Sequence, residues 1–197
     1  IATPRALTRA QEAVRRYGLD QQTPLVFDRM LLSSEAGGTP VGSGQIQGPY
    51  TTGTIVQFRQ VINGMPVITP DTGTVRVAVD NDGTVTDIHP AIRAVDQLSD
   101  RPLRTAAMPS PTDAAVTLQT AEPEDYEQEL AAEFSKRLAA WALQGRMPVD
   151  FTTVPGSTEI GYDLQEHEAT LIARKAMEVD FGNGYRKRYW VKVPLFA

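Results

Sequence analysis

The sequence predicts an α+β chain built of two helix-on-antiparallel-sheet layers, and three observations carry that expectation. Over residues 54–89, strand-forming residues are punctuated by Asn63-Gly64 and by Asp80-Asn81-Asp82-Gly83, which are residue types that reverse antiparallel strands. Helical spacing of apolar residues appears once before that region and once after Pro123. The last third returns to strand patterning on both sides of Gly182-Asn183-Gly184.

In chain order, Thr3-Pro4 opens a helix with a hydroxyl N-cap and proline at the first helical position. Leu7, Ala10, Val14 and Tyr17 then share one face, and Gly18 supplies the left-handed stop. Residues 25–32 read as a strand of mixed pattern. Residues 33–53, rich in Gly, Ser, Thr and Pro, read as a long surface loop. Residues 55–62 form a strand, and Asn63-Gly64 suits a type I′ turn that sets Ile62 opposite Met65. Val75, Val77 and Val79 alternate with Arg76 and Ala78, which puts the valines on a buried face.

Residues 91–111 are broken by Pro102, Pro109 and Pro111 and contain the expected linker, 96–111, between halves at 1–95 and 112–197. Ser110-Pro111-Thr112-Asp113 has the form of a helix start, with a short helix expected to about residue 120. The strongest helical pattern follows Pro123: Tyr126, Leu130, Phe134, Leu138 and Trp141 on one face, acidic residues in the first turns, and Gly145 as the stop. Residues 158–165 and 168–181 then read as strands, and Gly182-Asn183-Gly184 as a three-residue hairpin loop into 185–196. If Phe181 pairs with Tyr185, Asp180 faces Arg186 and Glu178 faces Arg188, while Met177 meets Tyr189 on the other side. Trp190 falls on the charged side.

The residues 58–67, Phe-Arg-Gln-Val-Ile-Asn-Gly-Met-Pro-Val, followed by a valine-rich strand and Asp82-Gly83-Thr84-Val85, resemble the fungalysin/thermolysin propeptide (FTP) and PepSY families. About 35 residues carry the resemblance. Ile68-Thr69-Pro70-Asp71-Thr72-Gly73 stands where the family has Gly-Gly. The resemblance implies small cystatin-like or PepSY-like layers, secreted or held in the cell envelope near extracellular peptidases, that act as chaperones or inhibitors without an active site. The second half resembles PepSY in element order and in its Thr-Asp-Ala-Ala helix start alone.

Composition limits the chemistry. The net charge of -5 argues against nucleic acid as a partner, because phosphate binding requires a concentrated basic face. No apolar run approaches the roughly 20 residues of a membrane-spanning helix. The absence of cysteine excludes disulfides, thiolate metal sites and cysteine nucleophiles. The chain opens at Ile1, as a processed or trimmed form would. Asp80-Asn81-Asp82-Gly83 has the opening of a calcium loop, but Ala91 stands where the bidentate glutamate belongs, so a plain turn is expected. His89 and His167 are the only imidazoles, too few for a zinc site, and no Gly-x-Ser-x-Gly elbow or phosphate-binding glycine motif occurs. No cofactor and no metal are expected, and no catalytic residue is assigned. The acidic cluster at 122–129 reads as a solvated helix start.

The expected function is a non-catalytic protein-binding module that docks a sheet face or edge on a peptidase or envelope component. Its candidate contact surface is Trp190 with Arg186, Arg188 and Lys192, in a hairpin that also carries Arg174, Lys175 and Lys187. Pairing within the sheet is the favoured fate of those charges, ahead of docking an anionic polymer. The alternatives are a carboxylate-dependent hydrolase with a cleft between the halves, which requires two acids of raised pKa, and a structural subunit of an envelope assembly.

Overall fold

The computed structural model describes residues 3–38, 46–98 and 123–195, and over them the protein is α+β with antiparallel sheets. In chain order the elements are α1 (Thr3–Arg16), α2 (Leu19–Gln22), β1 (Leu25–Gly38), β2 (Ile46–Ile62), β3 (Met65–Pro66), β4 (Thr74–Asp80) and β5 (Val85–Pro90). There follow β6 (Gln97–Leu98), α3 (Pro123–Leu143), β7 (Asp150–Thr153), β8 (Glu159–Gln165), β9 (Glu168–Asp180) and β10 (Arg186–Pro194). The chain divides into two compact units. One comprises Ile1–Ile62 and Pro70–Ala94, the other Asn63–Thr69 and Val95–Ala197. Sequence patterning had assigned the 63–69 segment to the first half. Most of the expected linker, and the short helix expected near 112–120 with its capping sequence, lie outside the described residues.

In the first unit the strand order is β1-β2-β4-β5. Helix α1 packs its Ala6, Ala10, Ala13 and Val14 on Val56, Phe58, Val75, Val77 and Val79. The alanines let the helix approach the sheet closely, and the valines alternate as the strand period requires. Gly18 takes the left-handed conformation, φ 65°, and its amide donates to the Arg15 carbonyl at 3.0 Å. Tyr17 therefore falls in the turn after the helix, exposed, rather than on the buried face its spacing predicted. The buried Gln60 amide donates to the Arg93 carbonyl at 2.8 Å and accepts from the Arg93 amide at 3.2 Å, tying the chain after β5 to the end of β2.

The expected loop at 33–53 is largely sheet. β1 and β2 run on as a hairpin, pairing Ser33 with Gly53, Glu35 with Tyr50 and Gly38 with Ile46. Register shifts between Ser33 and Ser34 and between Glu35 and Gly37 absorb the irregular residues. The sequence concealed these strands because Tyr50 and its neighbours are exposed, so no alternation of apolar residues marks them. The turn at 80–83 is the plain reversal expected: the Asp80 amide donates to the Thr84 carbonyl at 2.8 Å, and the Asp82 carboxylate accepts from the Thr84 amide at 2.7 Å.

In the second unit β9 is central. Along one edge it pairs with β10, and at Glu168 and Ala169 with the short parallel strand β6; along the other it pairs with β8 and then β7. The four-residue β7 carried no pattern in the sequence. Helix α3 buries Leu130 and Phe134, and its Trp141 ring stands 4.6 Å from Tyr189 and 5.7 Å from Phe181. The 63–69 segment lies along β8: the Ile68 amide donates to the Tyr162 carbonyl at 2.8 Å, and Val67 bridges to Tyr162. Gly161 is what permits that approach, since a Cβ there would stand 2.3 Å from the Pro66 carbonyl oxygen and 2.7 Å from Ile68.

Two stability outcomes follow from these contacts. Gly161→Ala displaces the 63–69 segment and lowers stability by about 1–3 kcal/mol, the range of overpacked cores. Phe58→Ala, at a buried position of the first unit, costs about 3–5 kcal/mol. Urea unfolding midpoints at unchanged slope check both, with Leu143→Ala at an exposed helix end as the neutral reference.

Candidate functional site

The hairpin β9–β10 sets the site. Gly182, Asn183 and Gly184 have φ of 86°, 54° and 76°, and the Phe181 amide donates to the Tyr185 carbonyl at 2.9 Å. The resulting register pairs Asp180 with Arg186, Glu178 with Arg188, Met177 with Tyr189 and Ala176 with Trp190. By strand alternation Arg186, Arg188, Trp190 and Lys192 share the sheet face opposite α3. The four residues named from the sequence as a candidate contact surface thus lie together on one face. Lys175 and Lys187 turn the other way: Lys175 pairs with Glu127 of α3, and Lys187 lies 5.1 Å from the Tyr189 ring centroid.

Trp190 is 36% exposed and sits opposite Ala176, whose small side chain leaves room for the indole. The Arg174 guanidinium lies 4.3 Å from the ring centroid, a cation–π stack. Arg174 is itself buried and held by Glu159 of β8, whose Oε2 accepts from Nε at 3.1 Å and from Nη2 at 2.7 Å. The indole therefore rests on a fixed platform while part of it stays in water.

The cations around it are paired. Arg186 Nε lies 3.0 Å from Asp180, Arg188 3.5 Å from Glu178 and Lys192 Nζ 2.5 Å from Asp163. Exposed cross-strand pairs contribute about 0.2–1 kcal/mol each, so they orient side chains and neutralise the face more than they stabilise it. Asp163 differs in being buried. Burial pushes its carboxyl up, but the hydrogen bond and charge of Lys192, with hydrogen bonds from Gln165 and Thr69, outweigh burial and hold it below the ordinary 3.8. A shallow cavity of about 230 Å³ opens beside this pair, lined by Thr170, Ile172 and Pro194 among others. The Asp180 carboxyl is also lowered, first by the Gly182 amide and then by Arg186.

Sequence reasoning missed the β8 contribution, Glu159 and Asp163, and the stacking role of Arg174. The signal was present: Glu159, Gly161, Asp163 and Gln165 alternate along β8 and pair with the outward side of β9. It also missed a polar network in the first unit, where Asp28 accepts from Gln57 at 2.7 Å and from Arg59 at 3.0 Å, and Gln57 accepts from Arg76 at 3.1 Å. Asp28 falls on the face of Gln57 and Arg59 by strand alternation, at a register shift in β1 that places Arg29 on the same face. His167 sits at the β8–β9 turn, exposed, 3.6 Å from Asp96, and His89 lies on β5. Among the described residues no three His, Cys, Asp or Glu side chains converge as a metal site, and no helix is long and apolar enough to cross a membrane.

Comparison with protein families, with curated proteins and with solved structures finds no match to this chain.

The Asp163–Lys192 pair has a defined pH signature. A carboxyl lowered in the folded state contributes stability above its unfolded value, and that contribution is lost as pH falls through the folded value. Asp163→Asn is therefore expected to cost about 1.5–3 kcal/mol at pH 7, the range for a hydrogen bond to a charged group. It should also flatten the decline in stability below about pH 4. Thermal melts from pH 7 to pH 2 check the difference between the two proteins.

Proposed function

We propose that the protein is a non-catalytic binding module that docks the outer face of its C-terminal sheet, centred on Trp190, on a protein partner such as a secreted or cell-envelope peptidase. The observation that supports this reading is the half-exposed indole stacked on a buried, carboxylate-held arginine. Interface hot spots are enriched in Trp and Arg, and rigid aromatics lose little entropy when they are covered. The surrounding charges are already matched within the sheet, so the face favours a partner of mixed surface over a polyanion. Such a rim gives orientation and excludes water around the anchor.

A carboxylate hydrolase would require acids held above their usual range. Asp82, Asp163 and Asp180 are instead held below the ordinary carboxylate range: Asp82 by Thr84, Asp163, despite its burial, by Lys192, and Asp180 by the Gly182 amide. They favour the role of hydrogen-bond acceptors. Placement outside the cell rests on the resemblance of residues 58–85 to secreted propeptide modules.

Trp190→Ala and Arg188→Ala are expected to reduce capture of the partner from secreted material at least tenfold for the tryptophan and less for the rim arginine. The melting temperature should fall by about 2–4 °C for the tryptophan, which loses about 1 kcal/mol of stacking on Arg174, and change little for the arginine. Quantitative pull-down with the purified variants checks this. Capture equal to that of the unaltered protein would refute the assignment of this face.

A further inference from the structure

The first unit presents a second surface that the reading of Trp190 leaves unused. β1 is the terminal strand of its sheet, and among the described residues it pairs with β2 alone. Residues 25–32 carry six apolar side chains, of which Val26, Phe27, Leu31 and Leu32 are 46, 47, 44 and 72% exposed. Soluble proteins ordinarily blunt such an edge with charge, proline or shortness. Here the only charges in the run are Asp28 and Arg29, 3.4 Å apart.

The register shift at Asp28 decides what fits. Leu25, Phe27, Met30 and Leu32 pair with Gln60, Phe58, Val56 and Thr54 and lie on the α1 side, whereas Val26, Arg29 and Leu31 lie on the other. The Val61 amide donates to the Pro24 carbonyl at 2.9 Å, so by alternation Val26, Arg29 and Leu31 direct their backbone groups to β2. Leu25, Phe27, Met30 and Leu32 direct theirs to the open side.

An antiparallel two-fold pairing must match residues that share both a face and a backbone direction. One register centred between Asp28 and Arg29 does so throughout. It sets Leu25 opposite Leu32, Val26 opposite Leu31 and Phe27 opposite Met30 of the second copy, and it brings each Asp28 against the other copy's Arg29. The extra residue at Asp28 is matched by the same residue in the partner strand, so the shift that would spoil pairing with a regular strand is cancelled. The charges are complementary and the apolar pairs cross-strand neighbours.

We propose that the protein forms a closed homodimer by antiparallel pairing of β1 with β1 of a second copy in this register. Because the two strands pair with each other, the association ends at two chains.

The chain has no cysteine, which makes the register directly readable. The double variant Val26→Cys/Leu31→Cys is expected to cross-link to a covalent dimer on mild oxidation, while each single variant, whose thiols would lie five residues apart across the pair, does not. Sedimentation equilibrium of the unaltered protein should give twice the chain mass, and Leu32→Lys should weaken association tenfold or more, with a melting curve that matches the unaltered protein's at concentrations where both are monomeric. A monomer at every concentration, open-ended polymers, cross-linking of the single variants, or a monomer that captures extended peptides instead would each overturn the proposal.

Discussion

The register of β9 against β10 is the constraint on which the candidate site depends. β9 is paired along both edges, so its alternation decides which residues meet α3 and which meet solvent. The three-residue loop at 182–184 fixes the offset by taking three successive positive φ angles, which Gly-Asn-Gly tolerates at little cost. A slip of one residue would carry Trp190 under the helix and turn Tyr189 and Val191 outward. The aromatic cluster of Trp141, Phe181 and Tyr189 opposes that slip from one side, and the matched carboxylates of Asp180 and Glu178 oppose it from the other.

Given that register, the chemistry of the face is set by distance. Each cation near the indole has a carboxylate within ion-pair reach, so the basic character of the linear sequence disappears once strands are paired. Charge runs are one-dimensional, whereas the potential that a partner meets depends on neighbours across the sheet. The deeper interactions, Arg174 with Glu159 and Lys192 with Asp163, act at the centre of the face, and the exposed ones form its margin.

In the hairpin at Gly182-Asn183-Gly184 the turn and the charges, Asp180 with Arg186 and Glu178 with Arg188, both specified register in the sequence, while the reversals at Asn63-Gly64 and at 80–83 were legible from turn residues alone. The valines of β4 and the apolar face of α3 were equally legible, because burial imposes a period. What escaped notice lacked that imposed period. Residues 34–36 and 48–51 are exposed in succession along the β1 and β2 extensions, and β7 is too short to show a period. The roles of Glu159, Asp163 and Arg174 depend on the meeting of β8 with β9, which is a tertiary event. The assignment of the 63–69 segment to the second unit likewise rests on Gly161, whose significance lies in the backbone that approaches it.

The central claim is that Trp190 is covered when the protein meets its partner. Fluorine NMR of the protein labelled with 5-fluorotryptophan reads this directly, since the chain holds two tryptophans and the Trp141→Phe variant assigns them. Trp190 in the free protein should show a solvent isotope shift between light and heavy water, and that shift should vanish on addition of the captured partner while the Trp141 resonance stays in place. A Trp190 resonance whose isotope shift is the same in the free and bound protein would contradict the account.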